Sequence, residues 1–468
     1  MAVVVVAGAL AGQYSLEAEL APAAPPAEPA AEAPAPARAS GKPGSRRQPG
    51  AVARGAAQGR AARGRASARG DGNPLKLLVY GLVGLFALLG CWFFNIDNVY
   101  ADMRFQQGQI LSDNPSSSYD QLLFGMGYYL DAIRMEPGQD FYYLNLGRSL
   151  MSIADVKRQQ ANGQLGQPKP NASVNDLLDM TGDQAAEQAV LQQTPLETMS
   201  YAQVVLERAR QLNQLNKDHY ANLARLHNFW FGRMTQDPQQ LTEAIDWYRR
   251  GNEIAPQDVT ILNEYASSVA LMGNYQKSQG NDAEAQRFYA QATDLLARSK
   301  QLDPRYGDTD LRQAELLRLE GRAAEAVDMY LKLLDANPHA IDNQVSQLAD
   351  ALRDQPDQLR RLRDAYADAA AERPDDATLQ SFIGLFSVRL NELPKAAEAF
   401  GRWAQLQPQN IEAHRNYTLV LSETRQYAQA AGEAQVLLTL AQQQRATQQQ
   451  LSAYQGLIDF FKARAQGQ

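Results

Sequence analysis

The chain holds one cysteine, Cys91, and only four histidines, His219, His227, His339 and His414. A lone cysteine excludes an intramolecular disulfide. No histidine has a second one three or four residues away, so a His/Cys metal site is not expected. Carboxylates are plentiful but form no calcium-loop pattern. Also missing are a Gly-Lys-Ser/Thr phosphate loop, a Gly-x-Ser-x-Gly elbow and a His-Glu-x2-His helix. The sequence therefore reads as a non-enzyme, and no catalytic, cofactor-binding or metal-ligating residue is assigned. Asp218, Glu253 and Glu264 read as solvated helix faces. His227-Asn228 falls among Leu226, Phe229, Trp230 and Phe231 and reads as scaffold.

The two parts of the chain carry opposite net charge. Residues 1–76 carry ten Lys/Arg against five Asp/Glu, and the remainder carries 35 against 47. The large part is acidic, which argues against nucleic acid as its partner.

Residues 1–12 read MAVVVVAGALAG. The stretch is apolar but short of the roughly 20 residues a membrane span needs, and it has no basic flank. It fits three readings: a short apolar segment, a poor export signal, or the tail of a truncated span. Residues 13–72 form a linker without core-building residues, Ala/Pro-rich and then Arg-rich, expected to be disordered. Nine basic residues and no acidic one lie between positions 38 and 69.

Residues 75–94, LKLLVYGLVGLFALLGCWFF, contain Lys76 as their only charge. Twenty helical residues span about 30 Å, the hydrocarbon thickness. Asn73-Pro74 offers a cap and a first-turn proline. Trp92, Phe93 and Phe94 sit at the far end, as interfacial aromatics do. The expectation is one transmembrane helix in contact with the lipid bilayer. Basic residues crowd its N-terminal side, while Asp97 and Asp102 follow it. The positive-inside rule places the N-terminus in the cytoplasm and the C-terminal mass outside, on a bacterial cytoplasmic membrane.

Beyond residue 99 the composition is helical throughout, and strand-like alternation is missing. Prolines fall at 304, 338, 374 and 408, spaced by 34, 36 and 34, with Pro256 and Pro137 earlier. Eight residues before these prolines stand Tyr129, Tyr248, Leu296, Tyr330, Tyr366 and Phe400. Four residues earlier again stand Gly125, Ala244, Ala292, Ala326, Leu362 and Ala396. A small residue and a ring at i and i+4 share one helix face, and proline ends the helix. Around Pro304 the spacing is longer, with Ala285 and Tyr289 taking the usual positions two turns early.

This register resembles the tetratricopeptide repeat, whose second helix carries Ala-x3-Phe/Tyr and a terminal proline. Tyr143-Leu-Asn-Leu146-Gly147 matches its first-helix pattern. Gly321-Arg-Ala-Ala-Glu325-Ala326 and Gly280-Asn-Asp-Ala-Glu284-Ala285 match its inter-helix turn. The resemblance implies an all-α fold, a right-handed tetratricopeptide-like α-solenoid, which would follow the one transmembrane helix and the disordered N-terminal segment read above from composition. Repeats are expected over 99–162 and 197–442, with a polar insertion at 163–196 and a capping helix at 443–468. The insertion is either a disordered excursion or a short helix on a long loop. The repeat-core positions are Tyr129, Ala244, Tyr248, Ala326, Tyr330, Tyr366, Ala396 and Phe400.

Two further stretches, Asn98-Val-Tyr-Ala-Asp102 with Asp140-Phe-Tyr-Tyr143 and Leu215-Asn-Lys-Asp218-His219, resemble the repeat region of bacterial O-antigen ligase-type proteins. That resemblance implies a C-terminal part, or a partner subunit, of an envelope glycan-transfer system. It covers the repeats and last span, so no catalytic residue carries over. The repeat resemblance implies a protein or peptide partner in a concave groove lined by first helices. Tyr142, Asn145, Arg148, Asn222 and Arg225 are the groove candidates.

Overall fold

The computed structural model describes residues 74–114, 117–180, 185–444 and 446–467. The expectations for 1–12 and 13–72 lie outside the described residues. The chain divides into two compact units, one of residues 24–100 and one built on residues 101–468.

In the first unit Pro74 opens α1 (Pro74–Ser112), where its missing N–H has no helical partner to lose. The described side chains from Leu78 to Leu89 all reach the surface. Among the described residues no helix is long and apolar enough to cross a membrane. Side chains at 77 and 91–97 lie outside the described set, and the continuous run from 78 to 90 is shorter than the roughly 20 residues a span needs. The segment expected to span at 75–94 is thus a helix, but its place in a bilayer is not established by the structure.

The second unit is made of helix pairs, with no strand among the described residues. The end of α1 packs on α2 (Tyr119–Met135) through Phe105 and Tyr129, whose rings lie 5.5 Å apart. α3 (Asp140–Gln160) pairs with α6 (Pro195–Leu212), and two short helices, α4 (Asn175–Leu178) and α5 (Ala185–Gln192), come between them in sequence. α7 (Lys217–Phe229) continues into a π-helical turn, Trp230–Thr235, and pairs with α8 (Pro238–Ile254). α9 (Val259–Ser278) pairs with α10 (Asp282–Leu302), and α11 (Gly307–Glu320) with α12 (Ala323–Ala336). The next first helix is short: α13 (Val345–Ala351) precedes α14 (Pro356–Glu372). α15 (Ala377–Arg389) pairs with α16 (Leu393–Leu406), and α17 (Ile411–Glu423) with α18 (Tyr427–Gln443). α19 (Gln448–Ala465) closes the series.

Local chemistry sets these boundaries. Ser118, Thr194 and Thr447 make reciprocal capping boxes with Gln121, Glu197 and Gln450. Asp237, Asp258, Asp376 and Asn410 accept first-turn N–H groups that the helix cannot satisfy itself. Pro137, Pro256, Pro304, Pro338, Pro374 and Pro408 each fall one or two residues past a helix end.

The expected core positions are buried. Tyr129, Tyr248, Tyr330, Tyr366 and Phe400 are at most 5% exposed, and Ala244, Ala326 and Ala396 at most 1%. Ala285 and Tyr289 are buried in α10, two turns before the usual place. A small residue on the first helix receives the ring of the second. A Cβ on Gly108, Gly273 or Gly384 would lie 2.6, 2.7 or 2.3 Å from a ring carbon of Tyr129, Tyr289 or Phe400. Glycine permits this approach because nothing projects from its Cα.

The insertion is folded in its described part. Leu177 and Val190 are fully buried in the first core cluster. Arg134 donates to the carbonyls of Leu177, Leu178 and Met180, at the end of α4. Lys157, 7% exposed, donates to those of Val190, Leu191 and Gln193, at the end of α5. Two cations thus satisfy carbonyls that short helices leave open, which replaces the reading of a disordered excursion. At the other end α19 buries Ile458 and Phe461 in a cluster with Leu421, Ala430, Ala434 and Leu438.

Candidate partner-binding face

Successive first helices carry polar side chains across their mutual boundaries. His219 of α7 is fully buried, and its Nε2 lies 2.6 Å from Asp140 Oδ2 of α3. Arg225 of α7 donates Nη2 to Glu264 Oε1 of α9 at 2.7 Å and Nε to Oε2 at 3.0 Å. Asn228 donates to Ser268 Oγ at 2.7 Å. Asn263 of α9 donates to Asp308 Oδ2 and Thr309 Oγ1 of α11, both at 3.0 Å. Arg312 then lies 3.2 Å from Asp308 and 3.4 Å from Glu315 on the same helix. The result is a polar seam over α3, α7, α9 and α11.

The seam is tied to the core by a second-helix ring. Tyr248 of α8 is buried, yet its hydroxyl donates to Glu264 Oε2 at 3.1 Å. Burial, reinforced by the Glu264 carboxylate, pushes the Tyr248 phenol well above its usual range, so it stays a donor. Burial also raises the Glu315 carboxyl, although Arg312 and Arg318 pull it down. Burial alone would raise Asp140 as well. Hydrogen bonds from His219, Asn213 and Asn216 outweigh it, and the net shift is downward.

The sequence-derived candidates divide. Tyr142, Asn145 and Asn222 are buried. Tyr142 donates its hydroxyl to Asp102, Asn145 its Nδ2 to the Phe141 carbonyl, and Asn222 to the Asp218 carbonyl. Asn145 and Asn222 bond within their own helices, and Tyr142 ties α3 to α1. Arg148 and Arg225 are exposed, and Arg225 stands in the seam. Glu264 is not the merely solvated carboxylate expected of it, because Arg225 and Tyr248 both bind it. The sequence reading gives Asn228 only as scaffold and misses Asn263, Ser268, Asp308, Arg312 and Glu315. The spacing of Asp308, Arg312 and Glu315 on one face of α11 was the available signal.

His227 is 4% exposed, with Nδ1 2.8 Å from Gln240 Oε1, and burial lowers its pKa despite that contact. Among the described residues no group of three His, Cys, Asp or Glu could hold a metal ion. A separate groove of about 620 Å³ lies among α10, α11 and α12, floored by Leu296, Leu316 and Met329 and rimmed by Lys300, Glu320 and Arg322.

No family model matches the chain, and no curated protein matches it by sequence. Solved structures do. The chain is similar to MamA, from residue 41 to its end, of Desulfovibrio magneticus RS-1: 16% identity, 47% of this chain, 96% of that one, TM-score 0.24. It is similar to the TPR2AB domain of yeast Sti1 in its complex with pHSP90: 14% identity, 57% and 92% covered, TM-score 0.22. It is also similar to yeast Tom70: 12% identity, 79% and 96% covered, TM-score 0.28. At these scores the likenesses have no weight of their own. The tetratricopeptide-like register rests on the helix pairs, their buried rings and the terminating prolines. None of the three bears on the resemblance to O-antigen ligase-type proteins.

Proposed function

We propose that the protein is a scaffold that binds a protein or peptide on its first-helix face, held at a membrane by residues 75–94. It is not an enzyme on this reading. The observation that carries it is the seam over α3, α7, α9 and α11. Stacked first helices offer an extended surface made from many repeats, the arrangement by which helical-repeat proteins take up partners. Arg225 supplies an exposed cation on that surface with Glu264 half-buried against it, and Arg148 is exposed on α3.

The membrane part is supported by the sequence run with its single charge at the edge. The exposure of Leu78, Val79, Tyr80 and Leu88, spread around the helix at about 100° per residue, agrees with it, since apolar side chains on every side of a helix need an apolar surrounding. The basic segment before it supports a cytoplasmic N-terminus and extracytoplasmic repeats.

Co-purification from solubilised membranes tests the binding face. Arg148→Glu/Arg225→Glu should lose the protein that accompanies the wild type, with helical content unchanged. Retention of that partner at wild-type yield would place binding elsewhere. Protease added to intact spheroplasts should cut the repeats; complete protection would put them on the cytoplasmic side.

A further inference from the structure

One edge of the array is built from the starts of its first helices. In the first turn of α3, Asp140 accepts from Asn213, Asn216 and His219, which lie between the end of α6 and the first turn of α7. Lys217 at the start of α7 pairs with Asp258, the cap of α9. Thr260 in the first turn of α9 lies 3.3 Å from the hydroxyl of Tyr306, which precedes α11. The loops that follow α2, α6, α8 and α10 therefore stand side by side.

Three of these four loops expose large apolar side chains. Met135 ends α2, and Phe141, 46% exposed, opens α3. Leu215, between Asn213 and Asn216, is 83% exposed, and Leu302 at the end of α10 is exposed as well. A lone surface leucine is ordinary, whereas apolar side chains repeated along one edge mark an interaction surface. Asp140 and Asp258 are already held by protein donors, so neither carboxylate is open to a cationic partner.

The same edge is tied to the chain that follows residues 75–94. The Tyr142 hydroxyl donates to Asp102, and the Phe105 ring lies 5.1 Å from that of Phe141. Asp102 comes eight residues after Phe94. Even fully extended, that stretch reaches no more than about 29 Å. The far ends of α3 and α9, helices of 21 and 20 residues, lie a further 30 Å or so from the edge.

We propose that this edge, through Met135, Phe141, Leu215 and Leu302, rests in the interface of a lipid bilayer. The inference rests on the reading of residues 75–94 as a membrane anchor and adds a second lipid contact to it. With the anchor in place, the short connection keeps the edge within reach of lipid for any angle between the two units. Such a tether makes the second contact effectively intramolecular, so a few apolar side chains suffice. Phenylalanine and leucine are residues by which surface segments enter the boundary between headgroups and acyl chains. The first helices then stand with their starts at the membrane, and the partner-binding face runs away from it.

The test uses the full chain reconstituted in phosphatidylcholine vesicles that carry a nitroxide-labelled phosphatidylcholine at the headgroup boundary. Phe86→Cys, Leu215→Cys, Leu302→Cys and Gln279→Cys, each with Cys91→Ser, are labelled with a fluorophore. All four side chains are exposed, so the label displaces no packing. Position 86 reports the anchor, and 279 lies at the far end of α9. Fluorescence should be lost at 86, 215 and 302 and kept at 279. Loss at 86 alone would overturn the edge contact and leave the anchor standing. Equal loss at 215 and 279 would also overturn the edge contact. No loss at any position would overturn both.

Discussion

Tyr330 shows how one side chain carries the register. It lies on α12, 1% exposed, opposite the small Ala314 of α11. Tyr330→Ala leaves a cavity the neighbouring helices cannot fill, and it should cost about 3 kcal/mol or more. Chemical denaturation reads this directly; an unchanged midpoint would mean that the ring is not in the core. Gly384 makes the converse point. Gly384→Ala drives a Cβ to within 2.3 Å of the Phe400 ring and should destabilise the protein. Gly456→Ala, on α19 with nothing within 4 Å, should stabilise its helix by up to about 1 kcal/mol. The two changes are chemically identical, so a difference in sign between their melting shifts isolates helix approach from helix propensity.

Two histidines respond oppositely to pH. His339 lies 2.9 Å from both Asp342 and Asp376. Burial alone would lower its pKa, but those two carboxylates raise it above the ordinary value of about 6.5. The stability it contributes is full below about pH 6.5 and is lost as pH rises through the raised value. His227, lowered mainly by burial, favours the native state while neutral. Its contribution is present above about pH 6.5 and is lost as pH falls through the lowered value. His339→Gln should therefore flatten the loss of stability on the alkaline side, and His227→Gln the loss on the acid side. Denaturation midpoints across pH 5–9 decide the matter; the same slope change in both variants would contradict these surroundings.

At the scale of elements, the second helices were legible because ring, small residue and proline recur at fixed offsets within one segment. The first-helix face was not. Asn145 and Asn222 look like groove residues in sequence, yet each returns its amide to a carbonyl four residues back. Arg225 and Glu264 are 39 positions apart, and only the stacking of α7 on α9 joins them. The insertion was opaque for a related reason. Its composition is polar, and the groups that fold it, Arg134 and Lys157, belong to α2 and α3. Burial pushes the Lys157 ammonium down to about 8, so its charge is held there against a desolvation cost by the carbonyls of α5. Lys157→Met keeps the apolar stem and removes those bonds. Amide hydrogen exchange should accelerate over 185–192 and stay unchanged in α12. Unaltered exchange over 185–192 would show that α5 is held by its buried Ala186 and Val190 without the lysine.

For the whole molecule, the apolar surface is unevenly placed. The C-terminal end buries its apolar side chains under α19, whereas α1 leaves Met103 and Ile110 uncovered. A helical-repeat array needs both ends closed, by a polar cap or by contact with something else. The most direct measurement is photo-cross-linking in intact membranes from single positions on two faces of the array. Photoreactive residues at 148 and 225, on the first helices, should form adducts with a discrete partner. The same residue at 328, on second helix α12, should form none. Adducts from 328 alone, or equal yields from all three, would contradict a binding surface built from the first helices.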